Sequence, residues 1–364
     1  MKVLQLANNY VKNGLYKHLF RELEARGVEN SVFVPIKKDE SAPEAPKNVD
    51  IVPCFGSFDR VLFYSKQSKI LTRLETNYDL TSFDVIHAHT VFSAGFAAYQ
   101  LHRKYGTPYV VAVRNTDINT FFKYMVHLRK LGVEIMRNAR CVVFLSPAYM
   151  ENTLKRWIPA KYREEIRKKS RVIPNGIAPL FFENLSEGKS APQETIKLIY
   201  VGEISSNKNP ELTICAAEKL IESGKTVSFK LIGQIKEEKY RGLLESKSFV
   251  THIDKLPQEE IVSHLRESHI FVMPSHNETF GLVYAEAMSQ GLPVLYTKGQ
   301  GFDGYFEQGS VGFSVSDTDE NDAAEKIIAV TQNYAQISKN CVESVLRFNW
   351  QDIAEEYVKL YASL

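Results

Sequence analysis

The chain has 364 residues, of which 44% are hydrophobic and 24% charged, and its formal net charge is +2. These values describe a soluble globular protein of two domains rather than one. No apolar run reaches the ~20 residues of a membrane span, and nothing in the composition indicates a nucleic-acid partner.

The N-terminus and the cysteines predict a cytoplasmic protein. Met1 leads directly into a predicted strand without signal-peptide architecture. The four cysteines form no CxxC pair, so we expect buried free thiols in a reducing compartment. They are Cys54, Cys141, Cys215 and Cys341.

The charge is divided between the two halves of the chain. Residues 1–175 hold 28 Lys and Arg against 16 Asp and Glu, whereas residues 176–364 hold 17 against 27. The basic excess is concentrated in residues 101–171. Such asymmetry indicates an anionic partner for the first half, although a solvated basic face without a partner also produces it.

The first half alternates predicted strands with amphipathic helices. Continuous apolar runs such as Val110 to Val113 are typical of parallel sheets that are covered on both faces. Leu15, Leu19 and Leu23 keep helical spacing, and Gly27 is the predicted stop of that helix. The predicted strands are 2–6, 31–35, 49–53, 84–88, 108–113, 141–145 and 171–173.

The second half repeats this plan after a break near Pro174. Two series of βαβ units predict two Rossmann-like domains that face a cleft. The polar stretch 183–195 is predicted to be a linker or a surface loop. The predicted strands are 196–201, 227–232, 249–253, 269–273, 293–297 and 311–315.

The segment from Glu278 to Glu286 is the strongest candidate for a ligand site. It follows a predicted strand, and ligands of open α/β sheets bind beyond the carboxyl ends of strands. A helix that begins at Gly281 directs free N–H groups and a partial positive charge of ~0.5 at whatever lies above the sheet, which favours phosphate. Glu278 can accept hydrogen bonds from sugar hydroxyls, and Glu286 can bind a ribose diol.

The chain contains three other pairs of glutamates that are eight residues apart, and the residues around Glu278 and Glu286 distinguish this pair from them. The segment resembles the E-x-F-G-L-x-x-x-E-A-M-x-x-G-x-P-V signature of retaining GT-B glycosyltransferases, specifically glycosyltransferase family 4. Every fixed position is matched, by Glu278, Phe280, Gly281, Leu282, Glu286, Ala287, Met288, Gly291, Pro293 and Val294. The resemblance implies a donor site that also includes Thr279. It further implies a final helix that returns to the first domain, giving domains of 1–174 plus 349–364 and 175–348.

Two further loops resemble the donor side of the family. After Val201-Gly202, where Gly202 is predicted to bind the donor, relatives carry an Arg and a Lys that neutralise the pyrophosphate. Lys208 matches the lysine, whereas Glu203 occupies the arginine position and leaves its own role open. After the first strand the family often has Gly-Gly, where this chain has a single glycine, Gly14. A backbone contact with donor phosphate at Gly14 and a simple helix start are both consistent with this loop.

The acceptor side resembles the family less closely. His89 ends the segment Asp84-Val85-Ile86-His87-Ala88-His89, which is similar to the family's D-V-I-H-A-H, and is predicted to contact a sugar. Arg114 and Asn115 replace the His-Gly that relatives often carry, while Asp117 is kept. We therefore expect His89, Arg114 and Asp117 to hold the acceptor, whose chemistry stays open.

No metal or other cofactor is predicted. The stretch 298–307 matches the position of a glycine-rich family loop. Asp317 and Asp319 superficially match a D-x-D metal motif, but Asp319 follows a strand and precedes a helix and is interpreted as a cap. No other group of residues has metal-ligand spacing.

The predicted function is retaining, metal-independent transfer of a sugar from a nucleotide diphosphate, with UDP as the default, to an acceptor hydroxyl. Glu278, Lys208 and His89 are the predicted catalytic residues. A glycan or lipid-linked acceptor and polysaccharide assembly are the expected setting. The alternatives are an inactive sugar-nucleotide-binding protein and a GT-B epimerase or phosphorylase. A nicotinamide oxidoreductase would need a G-x-G-x-x-G loop, which residues 8–14 do not supply.

The stretch 121–171 additionally predicts contact with an anionic membrane surface. Apolar and basic residues alternate at its start, as they do in interfacial helices. The apolar residues are Phe121, Phe122, Met125 and Leu128. The basic ones are Lys123, His127, Arg129 and Lys130.

Overall fold

Seven parallel strands form the sheet of the first unit in the computed structural model, which describes residues 1–11, 14–60 and 62–364. The sheet order is β3-β2-β1-β4-β5-β6-β7. Inner strands such as β5 and β6 are buried at every position, because helices cover both faces. The strands are β1 Lys2–Leu6, β2 Glu29–Lys37, β3 Val49–Phe55, β4 Val85–Ala88, β5 Tyr109–Ala112, β6 Cys141–Phe144 and β7 Ser170–Val172.

Six parallel strands form the sheet of the second unit, in the order β10-β9-β8-β11-β12-β13. All thirteen predicted strands are therefore confirmed, with ends that differ by a few residues. The strands are β8 Thr195–Val201, β9 Thr226–Ile232, β10 Val250–Ile253, β11 Ile270–Val272, β12 Val294–Thr297 and β13 Gly312–Val315.

Helices connect the strands, as βαβ units require. Gly27 follows the first helix with a φ of +80°, which confirms it as the stop of that helix. Among the described residues no helix is long and apolar enough to cross a bilayer. The helices are α1 Leu15–Ala25, α2 Phe63–Asn77, α3 Gly95–Tyr105, α4 Arg129–Asn138, α5 Pro147–Trp157, α6 Ala160–Lys168, α7 Pro179–Glu183, α8 Pro210–Glu222, α9 Lys239–Glu245, α10 Gln258–Glu267, α11 Leu282–Ser289, α12 Glu320–Gln332, α13 Tyr334–Val345 and α14 Trp350–Ala362.

The two units interleave along the chain. The first comprises Met1–Leu145, Met150–Pro174 and Trp350–Leu364, and the second Ser146–Tyr149 and Asn175–Asn349. The polar stretch after α7 is a surface loop of the second unit, where the Lys189 amide donates to Ser338 Oγ at 2.8 Å.

The final helix, α14, packs on the first unit, as the resemblance implied. Trp350, Tyr357 and Tyr361 are buried in the core that includes α1. Arg26, the residue that follows α1, has its Nε 3.7 Å from Oε2 of Glu355 in α14. The last segment of the chain, Trp350–Leu364, therefore completes the first unit.

The buried hydroxyl of Tyr361 supports a stability prediction for the first unit. It lies 2.6 Å from Nδ1 of His87, a buried side chain. Tyr361→Phe leaves that nitrogen without this partner and should cost about 1–3 kcal/mol, or several degrees of melting temperature. Thermal unfolding checks this, with Tyr124→Phe as a control because Tyr124 is exposed. Equal melting temperatures for the two variants would contradict the prediction.

The cysteine prediction is confirmed for three residues and wrong for one. All four are free, and Cys54, Cys141 and Cys341 are buried. Burial raises the pKa of Cys54 and of Cys141 to about 11, so these thiols stay protonated. Cys215 is exposed, because its position on α8 turns away from the sheet-facing side that carries Ala216 and Ala217.

Candidate functional site

The topological switch point of the second sheet lies between β8 and β11. Strand order reverses there, since β9 and β10 extend from one side of β8 and β12 and β13 from the side of β11. Connections that leave the carboxyl ends of two such strands diverge and open a crevice in which ligands bind. The predicted donor residues Lys208 and Glu278 follow β8 and β11 respectively.

Lys208 and Glu278 form an ion pair at this switch point. Lys208 Nζ lies 2.6 Å from Glu278 Oε2. The side chains are 25% and 13% exposed, so the pair is partly withdrawn from water but still reachable. The structure thus brings together two residues that the sequence placed 70 positions apart.

Asparagines that the sequence analysis missed hold the two loops together. Asn207 Nδ2 donates to the Asn277 carbonyl at 3.2 Å, and Asn277 Nδ2 donates to Asn207 Oδ1 at 3.0 Å. Asn209, at the start of α8, donates to the carbonyls of Pro274 and Asp317. The sequence signal was the Asn209-Pro210 dipeptide, which is typical of a turn, and in the structure Asn209 has a φ of +55°.

The glycine-rich stretch after β12 packs against Glu278. Gly301 N donates to the Glu278 carbonyl at 2.9 Å, and Gln300 Oε1 accepts from Glu278 N at 3.3 Å. A Cβ on Gly301 would lie 2.7 Å from Glu278 Cγ. The predicted loop therefore fixes the backbone and side chain of Glu278.

Gly281 is the N-cap residue of helix α11, beside this glutamate. Its φ is +84°, and no side chain of the described residues caps the helix. The preceding Thr279 amide donates to Glu278 Oε1 at 3.0 Å, and the following Leu282 is partly exposed. Free N–H groups at the first turn thus lie next to the Lys208–Glu278 pair, an arrangement that favours an anionic ligand.

Gly281 cannot accept a side chain without disturbing the helix start. A Cβ there would lie 2.4 Å from the ring of Tyr284, which is buried and donates to the Met273 carbonyl. Gly281→Ala should lower the melting temperature by several degrees and weaken nucleotide binding. Gly224→Ala is the matched control, because Gly224 has a φ of +86° and nothing within 4 Å of its Cβ position. A thermal shift no larger than that of the control would contradict the steric explanation.

Glu286 is the fifth residue of α11 and is buried. No ion pair or side-chain hydrogen bond of its carboxylate is found within residues 1–11, 14–60 and 62–364. Burial raises the pKa of Glu286 to about 7. A buried carboxyl group without a protein partner fits a ligand that supplies hydroxyl donors.

Two other predicted donor residues have structural contacts. The Phe280 side chain is buried against Phe302 and Phe348, so its ring packs against the glycine-rich loop. Its predicted part in donor binding stays a prediction, which the backbone of this residue would have to fulfil. Gly202 N donates to the Ile232 carbonyl, and a Cβ on Gly233 would lie 1.8 Å from Gly202 O. The ends of β8 and β9 thus pack backbone against backbone.

Glu203, which occupies the family's arginine position, forms a surface ion pair. Its Oε1 lies 3.3 Å from Lys236 Nζ on the loop after β9. A parallel bridge between Ile204 and Ile235 holds the two loops side by side. The ion pair with Glu203 therefore holds a second lysine, Lys236, at the same edge of the sheet as Lys208.

The Asp-x-Asp pair has local structural roles. Asp319 caps α12 by accepting from the amides of Asn321 and Asp322, which confirms its interpretation as a cap. Asp317 Oδ2 lies 2.7 Å from His276 Nδ1. Both carboxylates thus have partners within the protein.

In the first unit, His89 is buried, contrary to the prediction that it contacts a sugar. It has no accessible surface, and its Nε2 lies 2.9 Å from Gln5 Oε1. Burial, assisted by His87 and Arg114, holds the pKa of His89 well below its usual range. A neutral, enclosed imidazole can position the end of β4 but cannot touch a substrate in this conformation.

Asp117 is also buried, so its predicted contact with an acceptor is corrected in the same way. Its carboxylate accepts from the amides of Val91, Phe92 and Arg114 at 2.9–3.1 Å. Burial raises the pKa of Asp117 to about 6, against the effect of these hydrogen bonds. Asp117 therefore ties the loop after β4 to the loop after β5.

Two predicted site residues of the first unit are accessible: Arg114 partly and Gly14 fully. Arg114 is partly exposed and hydrogen-bonds with the hydroxyls of Tyr16 and Tyr357. Gly14 is exposed at the start of α1, and its Cβ position has nothing within 4 Å. Residues 12 and 13 of the same loop lie outside the described residues.

Two of the four apolar residues in the segment predicted to contact a membrane are packed inside the first unit. Phe122 and Leu128 have no accessible surface, and Phe121 stacks on Phe92 with ring centroids 4.6 Å apart. Basic residues further along are engaged locally, as in the Arg137–Glu165 pair. The periodicity of Phe122 and Leu128 reflects packing into the first unit, whereas Tyr124 and Val126 of the same segment are exposed, and contact with a membrane stays a prediction.

The arrangement in the second unit is suited to a ligand with a diphosphate and a diol. A lysine and a helix N-terminus provide positive charge at one point, and a buried acceptor lies one helical turn along α11. None of these groups forms a nucleophile with an adjacent base. The site can therefore bind, orient and stabilise charge.

Comparison with known proteins identifies the family. A family model described as "Glycosyltransferase Family 4" matches residues 15–179, and one described as "Glycosyl transferases group 1" matches residues 181–345. Together the two matches extend over nearly the whole chain. The chain belongs to glycosyltransferase family 4. Its two parallel-sheet units are those of the GT-B fold.

Relatives of this glycosyltransferase resemble it at low identity. An uncharacterized glycosyltransferase of Methanocaldococcus jannaschii is 24% identical over 77% of the chain and 76% of its own length. A phosphatidyl-myo-inositol mannosyltransferase of Mycobacterium leprae is 23% identical over 97% of the chain and 94% of its own length.

A solved structure confirms the fold. The sucrose-phosphate synthase of Thermosynechococcus elongatus superposes with a TM-score of 0.76 at 20% identity, covering 100% of this chain and 98% of its own.

Proposed function

We propose that this glycosyltransferase moves a sugar from a nucleotide diphosphate sugar, with UDP as the nucleotide, to a hydroxyl group of a glycan or lipid-linked acceptor. The Lys208–Glu278 pair beside the α11 N-terminus carries the proposal. Positive charge concentrated at one point of the sheet edge is what a departing diphosphate requires.

Each residue of the proposed donor site binds a different part of the nucleotide sugar. The Lys208 ammonium and the free N–H groups at Gly281 bind the diphosphate, and the Glu286 carboxylate accepts from the ribose hydroxyls. Glu278 accepts from the sugar hydroxyls and keeps Lys208 in place through their ion pair. The choice of UDP is supported by the Anabaena protein HepE, which was solved with UDP and glucose and has a TM-score of 0.69 at 19% identity, covering 100% of both chains.

We further propose that the reaction retains the anomeric configuration. The acceptor oxygen bonds to the anomeric carbon on the face from which the phosphate departs, and the carbon–phosphate oxygen bond breaks. The acceptor proton passes to the departing phosphate oxygen. The residues described above supply orientation and charge stabilisation, and no protein nucleophile takes part.

A lipid-linked acceptor at the inner face of the membrane is the expected setting. The Mycobacterium leprae relative is named for a phosphatidyl-myo-inositol substrate. The basic excess of residues 1–175 provides attraction to an anionic surface. The enzyme would then act as a peripheral protein in the assembly of cell-surface glycans.

Transfer from labelled UDP-, GDP-, ADP- and dTDP-sugars into a membrane lipid extract tests the proposal. We expect label from a UDP-sugar in the extract, with the donor's anomeric configuration found by NMR of the product. Binding of the donor without transfer or hydrolysis would indicate an inactive binding protein. A rearranged donor sugar or reversible phosphorolysis would indicate an epimerase or a phosphorylase.

Transfer should not depend on a divalent metal, because Lys208 and the α11 N-terminus already supply the positive charge for the leaving group. We expect activity in EDTA to stay within about twofold of that in Mg²⁺. Activity that disappears in EDTA and returns with Mg²⁺ or Mn²⁺ would contradict this part of the mechanism.

A further inference from the structure

Four residues that follow β6 belong to the second unit, although their neighbours in the sequence on both sides belong to the first. The segment Ser146–Tyr149, which we call the inserted segment, includes the start of α5. The chain before it, up to Leu145, and the chain after it, from Met150, are parts of the first unit. The second unit therefore contains a piece of chain from far outside its main sequence.

Ser146 connects the inserted segment to the loop before α11. Its side chain has no accessible surface, and its hydroxyl donates to the carbonyl of Thr279 at 3.2 Å. The two residues are 133 positions apart in the chain. Thr279 directly follows Glu278, so the inserted segment bonds to the loop that carries the proposed donor residues.

The same hydroxyl also fixes the start of α5. Ser146 Oγ accepts from the Tyr149 amide at 3.2 Å, and Pro147 is the first residue of the helix. Serine before a helix and proline at its first position are both favoured there. A hydroxyl group has one proton to donate and two lone pairs, so it can make both bonds at once. The bond to Tyr149 thus holds Ser146 in the orientation that serves Thr279.

The backbone of Thr279 transmits this restraint to the ion pair. The Thr279 amide donates to Glu278 Oε1 at 3.0 Å, and Glu278 Oε2 lies 2.6 Å from Lys208 Nζ. Because Ser146 holds the carbonyl of Thr279, it also limits the movement of the amide of the same residue. A continuous series of contacts therefore runs through Ser146, Thr279, Glu278 and Lys208.

The peptide group that Ser146 holds also includes the N–H of Phe280. In a trans peptide the carbonyl and the N–H point in opposite directions, so the Phe280 N–H is turned away from Ser146. Within residues 1–11, 14–60 and 62–364 this N–H has no hydrogen-bond partner in the protein. Ser146 therefore sets the direction of a free backbone donor next to the N-terminus of α11.

A second contact joins the inserted segment to the glycine-rich loop. A Cβ on Gly304 would lie 3.2 Å from Pro147 Cβ, so the loop approaches the segment closely. The same loop donates to the Glu278 carbonyl through Gly301. Glu278 is thus restrained by the glycine-rich loop directly and by Ser146 through Thr279.

We propose that Ser146 is a positioning residue of the donor site. It holds the backbone of Thr279 so that Glu278 keeps the orientation in which it pairs with Lys208 and accepts from the donor sugar. The role rests on the glycosyl transfer proposed above and adds a residue from outside the Glu278–Glu286 segment. A misplacement of about 1 Å at a reacting site can slow turnover by about 100-fold, so loss of this restraint should be measurable.

Initial rates with a UDP-sugar test this role. Ser146→Ala should lower kcat by about tenfold or more and keep the KM for the donor within about threefold, because Lys208 and α11 still bind the diphosphate. Ser170→Ala is the matched control and should keep its kcat, since Ser170 is also buried and donates to the Ile166 carbonyl at 2.8 Å. If Ser146→Ala does not fold, Ser146→Cys replaces it, because a thiol is a weaker donor of similar size and should also lower kcat. A kcat equal to that of the control would overturn the role.

A double variant shows whether Ser146 acts through Glu278. Glu278→Ala removes the side chain that Thr279 restrains, so adding Ser146→Ala should lower kcat by no more than about twofold further. A further loss as large as that of Ser146→Ala alone would overturn the connection. Wild-type protein that transfers no sugar would refute the proposed function, whereas wild-type transfer beside an unimpaired Ser146→Ala variant would refute this role alone.

Discussion

Lys208→Ala and Glu278→Gln are each expected to reduce sugar transfer by at least about 100-fold while the protein stays folded. The first change removes the cation that stabilises the departing diphosphate. The second removes the charge that holds Lys208 in place and weakens a contact with the donor sugar. Initial rates with a saturating UDP-sugar measure both effects.

A control must show that loss of an ion pair elsewhere in the protein does not reduce sugar transfer. Lys247 and Glu218 provide the control, because their N–O distance is also 2.6 Å and their side chains are 29% and 35% exposed. Lys247→Ala should leave transfer unchanged. Near-normal transfer by both Lys208→Ala and Glu278→Gln would refute the donor site.

Glu286→Gln is expected to stabilise the protein at high pH and to weaken donor binding. Burial raises the pKa of Glu286 to about 7 in the folded protein, above the ordinary value of 4.5. The folded state therefore binds the proton more tightly, and stability falls as pH rises from about 4.5 to about 7. Above pH 7 the buried carboxylate opposes folding by roughly 3 kcal/mol.

The amide of the glutamine variant carries no such penalty. Its melting temperature should exceed that of the wild type at pH 8 and approach it near pH 4.5. Urea or thermal unfolding at the two values checks this. A variant that is less stable than the wild type at pH 8 would contradict the assignment of an unpaired buried carboxylate.

The affinity for the donor should rise with pH, whereas the stability of the folded protein should fall. Ribose hydroxyls donate to the ionised carboxylate, so binding of UDP-glucose should strengthen as pH rises through about 7. Glu286→Gln should bind about 10–100 times more weakly at pH 8 and lose this pH dependence. A 2′,3′-dideoxy donor should bind both proteins alike, and a large difference between them would mean that Glu286 acts elsewhere.

The positions of the donor residues could be predicted from the sequence, because they depend on local order along the chain. Lys208 and Glu278 each follow a strand, and parallel strands bring such positions to one edge of the sheet. The ion pair and the asparagine contacts of Asn207 could not be predicted. They depend on the conformation of two loops rather than on residue type.

The first unit shows where prediction from the sequence failed. His89 ends a strand, which favours exposure, but the unit buries it beneath residues such as Tyr16. Its neighbour His87 is bonded to Tyr361, 274 residues later in the chain. Likewise the apolar periodicity at Phe122 and Leu128 is the same for a buried helix and a lipid-facing one. In both cases, contacts between residues that are far apart in the sequence determine whether the side chain is buried.

Calorimetric titration of UDP into the wild type and into Lys208→Ala tests most directly whether the second unit holds a nucleotide diphosphate at its switch point. We expect one UDP per chain to bind the wild type, and the affinity to fall by about tenfold or more in the variant. Wild-type protein that binds no nucleoside diphosphate, or that binds UDP equally well without Lys208, would contradict the proposed donor site.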